Sequence, residues 1–303
     1  MPTAPLPTSQ PFSFDQTVTF IRRFPPCQGE SLLGRDAVTV AVTLGERAAP
    51  ITVRRTADGV AVETPRAADL PAAVEAAARW IGADDDVAAL YRRAEGDVPF
   101  QRLIALLHGL HQVRFLSLAE ISVYCVMMQR TPIAGAARMK RAFLRRFGTP
   151  VEVDGHTLRA MPSLANVADL DGDAIASAIG HASKGAAIAN VVRGVAAIGE
   201  AALREAPYAE ARAALLRIRG VGPFSACAIL LRGLGRMDEV PSLAMFARDA
   251  RLVYGKAIDE AAIARRYGAM IGYWSFYVKA GAARSASAAT SRGQSLACAT
   301  MRG

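Results

Sequence analysis

Four cysteines in 303 residues, Cys27, Cys125, Cys227 and Cys298, lie far apart, with no CxxC pair and no cluster spacing. That excludes a disulfide framework and gives no ligand set for zinc or an iron–sulfur centre, and it fits a reducing cytoplasm. Histidine is equally sparse: four residues, with no HExxH. No run approaches the roughly 20 apolar residues of a membrane span. The opening MPTAPLPTSQPFSF has neither a basic n-region nor an apolar h-region, so no secretory signal is expected. Lysine is also scarce, with 4 residues against 32 arginines.

What is present is a globular composition, 52% hydrophobic and 21% charged. At roughly 100 to 200 residues per domain the length suits about two domains. The net charge of +9 is uneven: residues 1–100 carry −3 and residues 101–303 carry +12. This asymmetry points to a polyanionic partner for the later part.

The first thirteen residues are rich in proline and threonine and are expected to be mobile. Strand-like runs follow at Thr17–Phe24, Asp36–Leu44 and Ile51–Val62, the last broken by a turn at Ala57-Asp58-Gly59. Alternation at Val38, Val40 and Val42 fits a half-buried antiparallel sheet. From about Leu70 to Ala283 the apolar period is helical, with short glycine- or proline-bearing connectors. The pattern predicts an α+β chain: a small N-terminal antiparallel β domain over residues 14–97, then a large all-α domain over 98–284. The polar tail, 285–303, is expected to be disordered.

The most informative segment is LLRIRGVGPFSACAIL, residues 215–230. A helix ends in Gly220-Val221-Gly222 and a second begins at once. A dinucleotide fingerprint needs GxGxxG after a strand; here the preceding run is helical and the third glycine is Ser225. A helix–hairpin–helix reading fits better. The glycines allow a tight turn and close approach, and the new helix offers free N–H groups and its dipole to an anion. On a basic domain that anion is a nucleic-acid phosphate, a contact that positions without reading sequence. A plain αα-hairpin capped by glycine remains the alternative.

LLRIRGVGPFSACAILLRGLGRMDEVP resembles the helix–hairpin–helix DNA glycosylase superfamily, closest to the bacterial 3-methyladenine DNA glycosylase II type and its 8-oxoguanine relatives. The resemblance runs from about Phe14 to Ala283. It takes in LAEISVYCVMMQRTPIAGAARMKRAFLRRFG, HASKGAAIANVVRGVAAI and YGAMIGYWSFYV in order. It implies a monomer on double-stranded DNA that flips out a damaged, alkylated base, a base-excision-repair N-glycosylase of the cytoplasm and nucleoid. The DNA-binding positions it implies are Gly220, Gly222, Ser225, Gln129, Arg130 and Lys184, with Arg130 as the wedge that fills the vacated stack. A monovalent cation, K+ or Na+, would rest on the carbonyls of Leu216, Ile218 and Val221, with no other cofactor required.

Two positions depart from the pattern. Bifunctional relatives carry a lysine where this chain has Phe224, which has no amine, so imine-linked strand nicking from that position is excluded. Phe224 instead suits the lining of a base pocket. The aspartate that would stabilise an oxocarbenium-like sugar is replaced by Leu243. Asp249 is six residues on, about 9 Å along a helix, and the remaining nearby carboxylates are Asp238 and Glu239. The alternative reading is therefore a catalytically inactive member that senses lesions.

Overall fold

The computed structural model describes residues 1–284, so the expected disordered tail lies outside the described residues. Within them the chain forms two compact units. One joins Met1–Asp85 to Leu110–Arg236; the other joins Asp86–Gly109 to the chain from Met237 onward. The boundaries therefore differ from the expected division into 14–97 and 98–284.

In the first unit, Thr3–Pro5 (β1) pairs antiparallel with Gly59–Glu63 (β5), and Leu6 is buried. The expected mobile N-terminus is thus an edge strand, because its backbone finds ladder partners. Phe14–Arg23 (α1) is a helix where the sequence suggested a strand. Ser13 caps it by accepting the Gln16 N–H at 3.3 Å, and Phe14, Val18 and Ile21 share one buried face. Ser31–Leu33 (β2), Ala37–Leu44 (β3) and Arg47–Thr56 (β4) complete a five-stranded antiparallel sheet of order β1-β5-β4-β3-β2. Its register pairs Val40 with Ile51 and Val53 with Val62. The turn at Ala57-Asp58-Gly59 falls where the sequence put it. One face packs Val38, Val40, Val42, Ile51 and Val53 against α1 and Trp80 of Leu70–Ile81 (α2).

The next helices, Val87–Arg93 (α3) and Val98–Leu106 (α4), belong to the second unit. The chain returns to the first unit with Leu118–Met128 (α5) and Ile133–Phe147 (α6). A second hairpin then interrupts the expected helical run, Thr149–Val153 (β6) and His156–Ala160 (β7). Its Asp154-Gly155 turn has both residues at positive φ, +48° and +77°, as a two-residue type I′ turn requires. Val151 and Leu158 pack on Ala41, covering the other face of the sheet. This second cover explains why the sheet does not stand as a domain of its own. Helices Leu164–Ala168 (α7), Gly172–Ile179 (α8), Ala182–Ile198 (α9), Glu200–Glu205 (α10), Tyr208–Leu216 (α11) and Pro223–Ala228 (α12) follow. A wide π turn over Ile229–Gly233 extends the last of these.

Lys140 of α6 is a fully buried cation in this unit. Its ammonium donates to the Pro26 carbonyl at 2.8 Å and pairs with Glu30 and Glu120. Burial alone would lower the ammonium's pKa, but the two carboxylates outweigh it and the net shift is upward. Burial also pushes Glu30 up to about 7, against the pull of Lys140.

The second unit adds Ala247–Tyr254 (α13), Glu260–Tyr267 (α14) and helical residues 271–284. Asp97 caps α4 through the Phe100 N–H at 3.2 Å and accepts from the hydroxyls of Tyr254 at 2.9 Å and Tyr267 at 2.8 Å. Trp274 donates to the Tyr254 oxygen at 3.0 Å. Tyr273, Trp274, Phe276 and Tyr277 are core residues of this unit. No helix among the described residues is long and apolar enough to cross a membrane.

Replacing Lys140 by Met leaves two carboxylates in the interior without their cation. The expected cost is about 3–5 kcal/mol at neutral to alkaline pH. Glu30 holds its proton to a higher pH folded than unfolded, so stability arising from it falls as pH rises from its ordinary range through about 7. The penalty of K140M should therefore shrink on acidification below that value. Urea unfolding of both proteins across that range reads it; a penalty that does not vary with pH would count against the assignment.

Candidate functional site

The hairpin begins where α11 ends at Leu216. Gly220 has φ +95°, a conformation that glycine adopts without strain. Gly222 caps α12 with φ −93° and ψ 178°, extended backbone open to any residue. A Cβ built on Gly222 would meet nothing within 4 Å. The fold therefore demands glycine at 220 but not at 222. Pro223 opens α12 and has no N–H, so the orphan donors of its first turn are the amides of Phe224 and Ser225. Phe224 is 37% exposed, unusual for so large a side chain.

Helix α9 holds the hairpin from behind. Asn190 donates from Nδ2 to the Arg219 carbonyl at 2.5 Å. Gly194 lies under Ile218: a Cβ there would come within 2.7 Å of the isoleucine side chain. At the other end of α9, Gly185 admits α8, since a Cβ would stand 2.2 Å from the Gly172 carbonyl oxygen. These close approaches leave little freedom between α9 and its neighbours.

The expected wedge segment, Gln129-Arg130-Thr131-Pro132, is the connection from α5 to α6. Met128 to Thr131 forms a β-turn closed by the Thr131 N–H on the Met128 carbonyl at 3.2 Å. Gln129 has φ −58° and ψ 118°, and Arg130 has φ +52°. Those angles describe a type II turn, whose third position ordinarily takes glycine or asparagine. Arginine there is strained, on the order of 1 kcal/mol. Its side chain is exposed.

The side chains around Arg130 point inward instead. Gln129 donates from Nε2 to the Gly220 carbonyl at 2.9 Å and to the Ser225 hydroxyl at 3.3 Å, which joins the wedge turn to the hairpin. Ser225 is 2% exposed, and its hydroxyl serves this internal contact. Lys184 is a correction to the sequence expectation. It was placed among residues turned to a partner, yet it is 7% exposed and its ammonium lies at 3.0 Å from the carbonyls of Val126 and Met127 and 2.6 Å from that of Gln129. Burial lowers its pKa from the ordinary value. The ammonium sits at the carboxyl end of α5, where the helix dipole favours a cation. Sequence gives a faint signal for this: Lys184 lies in the first turn of a helix that has one other charged residue, Arg193.

The residues at the expected carboxylate position belong to the second unit. Leu243 opens the turn Leu243–Phe246 and is half-buried, Asp238 is half-buried and Glu239 exposed. Asp249 pairs with Lys279 at 3.1 Å.

No protein-family profile matches the chain. Among curated proteins it is 26% identical over 157 residues to "DNA-3-methyladenine glycosylase" of Bacillus subtilis, covering 51% of this chain and 52% of that one. It is 29% identical over 182 residues to a Mycobacterium tuberculosis protein named "Probable bifunctional transcriptional activator/DNA repair enzyme AlkA", covering 58% of this chain and 33% of that one. The aligned stretches thus span only about half and a third of these relatives. Among solved structures, 3-methyladenine DNA-glycosylase from Archaeoglobus fulgidus superposes with TM-score 0.75 at 18% identity, covering 92% of this chain and 97% of that one. MBOgg1, solved with a low-affinity DNA ligand, gives 0.70 at 18% identity over 91% and 93%.

The two hairpin glycines make opposite stability predictions. Gly220→Ala forces a side chain into positive φ and is expected to cost about 1–2 kcal/mol. Gly222→Ala should stay within about 0.5 kcal/mol of the parent. Denaturant midpoints of the two variants separate them, and equal losses would contradict the geometry.

Proposed function

Because the chain carries the fold of the helix–hairpin–helix DNA glycosylases, we propose that it binds duplex DNA and flips out a damaged base. The observation that supports this most is Gly222. Nothing inside the protein requires glycine there, whereas a phosphate approaching the amides of Phe224 and Ser225 does, since a methyl group would stand in its path. The hairpin positions the duplex, and Arg130, exposed at the tip of its strained turn, fills the space that the everted nucleotide leaves. A monovalent cation would rest on the carbonyls of Leu216, Ile218 and Val221. The Ile218 carbonyl already accepts the Val221 N–H at 3.0 Å and keeps a second lone pair for an ion. Such an ion would add positive charge behind the phosphate.

The proposed chemistry is hydrolysis of the N-glycosidic bond of an alkylated base, with no strand nick, because Phe224 has no amine to form an imine. An alkylated purine carries its own positive charge and leaves readily, so the demand on a carboxylate is modest. Which group takes the place of the family's aspartate is open to Asp238 and Glu239. A second reading, a lesion sensor without catalysis, is favoured by Leu243 alone, whose apolar side chain can neither stabilise a cation nor activate water.

Incubation of the protein in excess with alkylated DNA, followed by chromatography of released bases, is the direct test. Release of 3-methyladenine or 7-methylguanine above buffer supports the enzyme. No release, with retained preference for a lesion or abasic site, supports the sensor, and in that case Leu243→Asp should gain activity. Binding of neither kind of DNA would end both readings. Gly222→Ala should weaken duplex binding roughly tenfold, the loss of about one phosphate-directed contact, and flatten its salt dependence.

A further inference from the structure

We propose that Lys184 is a positioning residue that aims Arg130 by fixing the orientation of one peptide. The inference deepens the DNA-binding reading and rests on it for its functional half. Type I and type II turns differ chiefly by a flip of their central peptide, which reverses the direction of one carbonyl and changes the sign of φ at the third residue. In the turn Met128–Thr131 that carbonyl belongs to Gln129. It accepts the Lys184 ammonium at 2.6 Å and the Thr131 hydroxyl at 3.1 Å. The same ammonium caps the last carbonyls of α5, those of Val126 and Met127. An arginine at the third position would otherwise favour type I, where its φ is negative and unstrained. Two donors on the Gln129 oxygen hold the strained alternative, and Lys184 is the charged and shorter of the two.

The arrangement also links the turn to the hairpin. The Gln129 backbone is held by α9 through Lys184, and its side chain holds Gly220. Asn190, on the same helix, holds Arg219. A phosphate bound at the hairpin and an arginine inserted from the turn are thereby referred to one rigid helix. Removing the ammonium frees the peptide to flip, and Arg130 then points elsewhere while the hairpin stays intact.

The test uses the full chain with Lys184→Met, Lys184→Arg, Arg130→Ala and the K184M/R130A double variant. Duplexes carry an abasic site or none, with 2-aminopurine beside the site to report unstacking. K184M is expected to bind plain duplex within twofold of the parent, yet lose tenfold or more of the preference for the abasic site and most of the fluorescence rise. R130A should lose as much, and the double variant no more than either single one. K184R puts a longer, planar guanidinium where a compact ammonium sits, and should resemble K184M. Where K184M folds poorly, Thr131→Val removes the second donor and should give a smaller loss of the same kind. Independently of DNA, NMR of the parent should show the short Gln129 Hα to Arg130 amide contact of a type II turn, weakened in K184M. An unchanged contact pattern, an unchanged preference in K184M, or additive losses in the double variant would overturn the proposal. If the parent itself binds no DNA, the functional reading fails and the NMR comparison alone decides the role of Lys184 in the turn.

Discussion

A single buried ammonium closes the carboxyl end of α5, and the solvent-facing features nearby are arranged around it. Three carbonyls at the end of α5 and in the turn that follows it converge on Lys184. Ordering a lysine side chain costs up to about 2 kcal/mol of rotamer entropy. Charge-assisted bonds at a helix terminus offset that, and they set the turn in which Arg130 adopts positive φ. Because Lys184 stands on the same helix as Asn190 and Gly194, the turn and the hairpin share one support.

The unit holds two buried lysines that solve the same problem differently. Lys140 is neutralised by Glu30 and Glu120, so its role is to allow carboxylates and a cation to be buried together. Lys184 meets only carbonyl dipoles, which leaves its charge uncompensated by any carboxylate it bonds. The first arrangement is a stability device with a pH signature; the second fixes the carbonyls beneath the turn that carries Arg130.

The chemistry is less determined than the binding geometry. In the second unit Asp97 is a buried carboxylate, but it is occupied by two tyrosine hydroxyls and a helix amide. Burial pushes both tyrosines up, so they remain donors to it. Asp249 is paired with Lys279. The acids near Leu243 are thus partly committed to structure, which is why hydrolysis by way of Asp238 or Glu239 and lesion sensing are separated by experiment and not by composition.

Much of this was legible in the order of residues. Gly-Val-Gly between two helices located the hairpin, Val38, Val40 and Val42 located the sheet face, and Ala57-Asp58-Gly59 located its turn. The Asp154-Gly155 pair was an equally good turn signal, though it lay inside a long run of helical period. Thr17–Phe24 read as a strand because its β-branched residues and aromatics suit either state; Ser13, which caps the helix Phe14–Arg23, is the deciding feature. The sequence by itself determined the local conformations that short-range sterics and capping dictate, and the absence of an amine at Phe224 and a carboxylate at Leu243. Only the tertiary structure decided which way Lys184 and Gln129 face and why Arg130 tolerates its turn. Those depend on carbonyls brought from residues some 55 and 91 positions away in the chain, and no local pattern encodes where a distant lone pair will be.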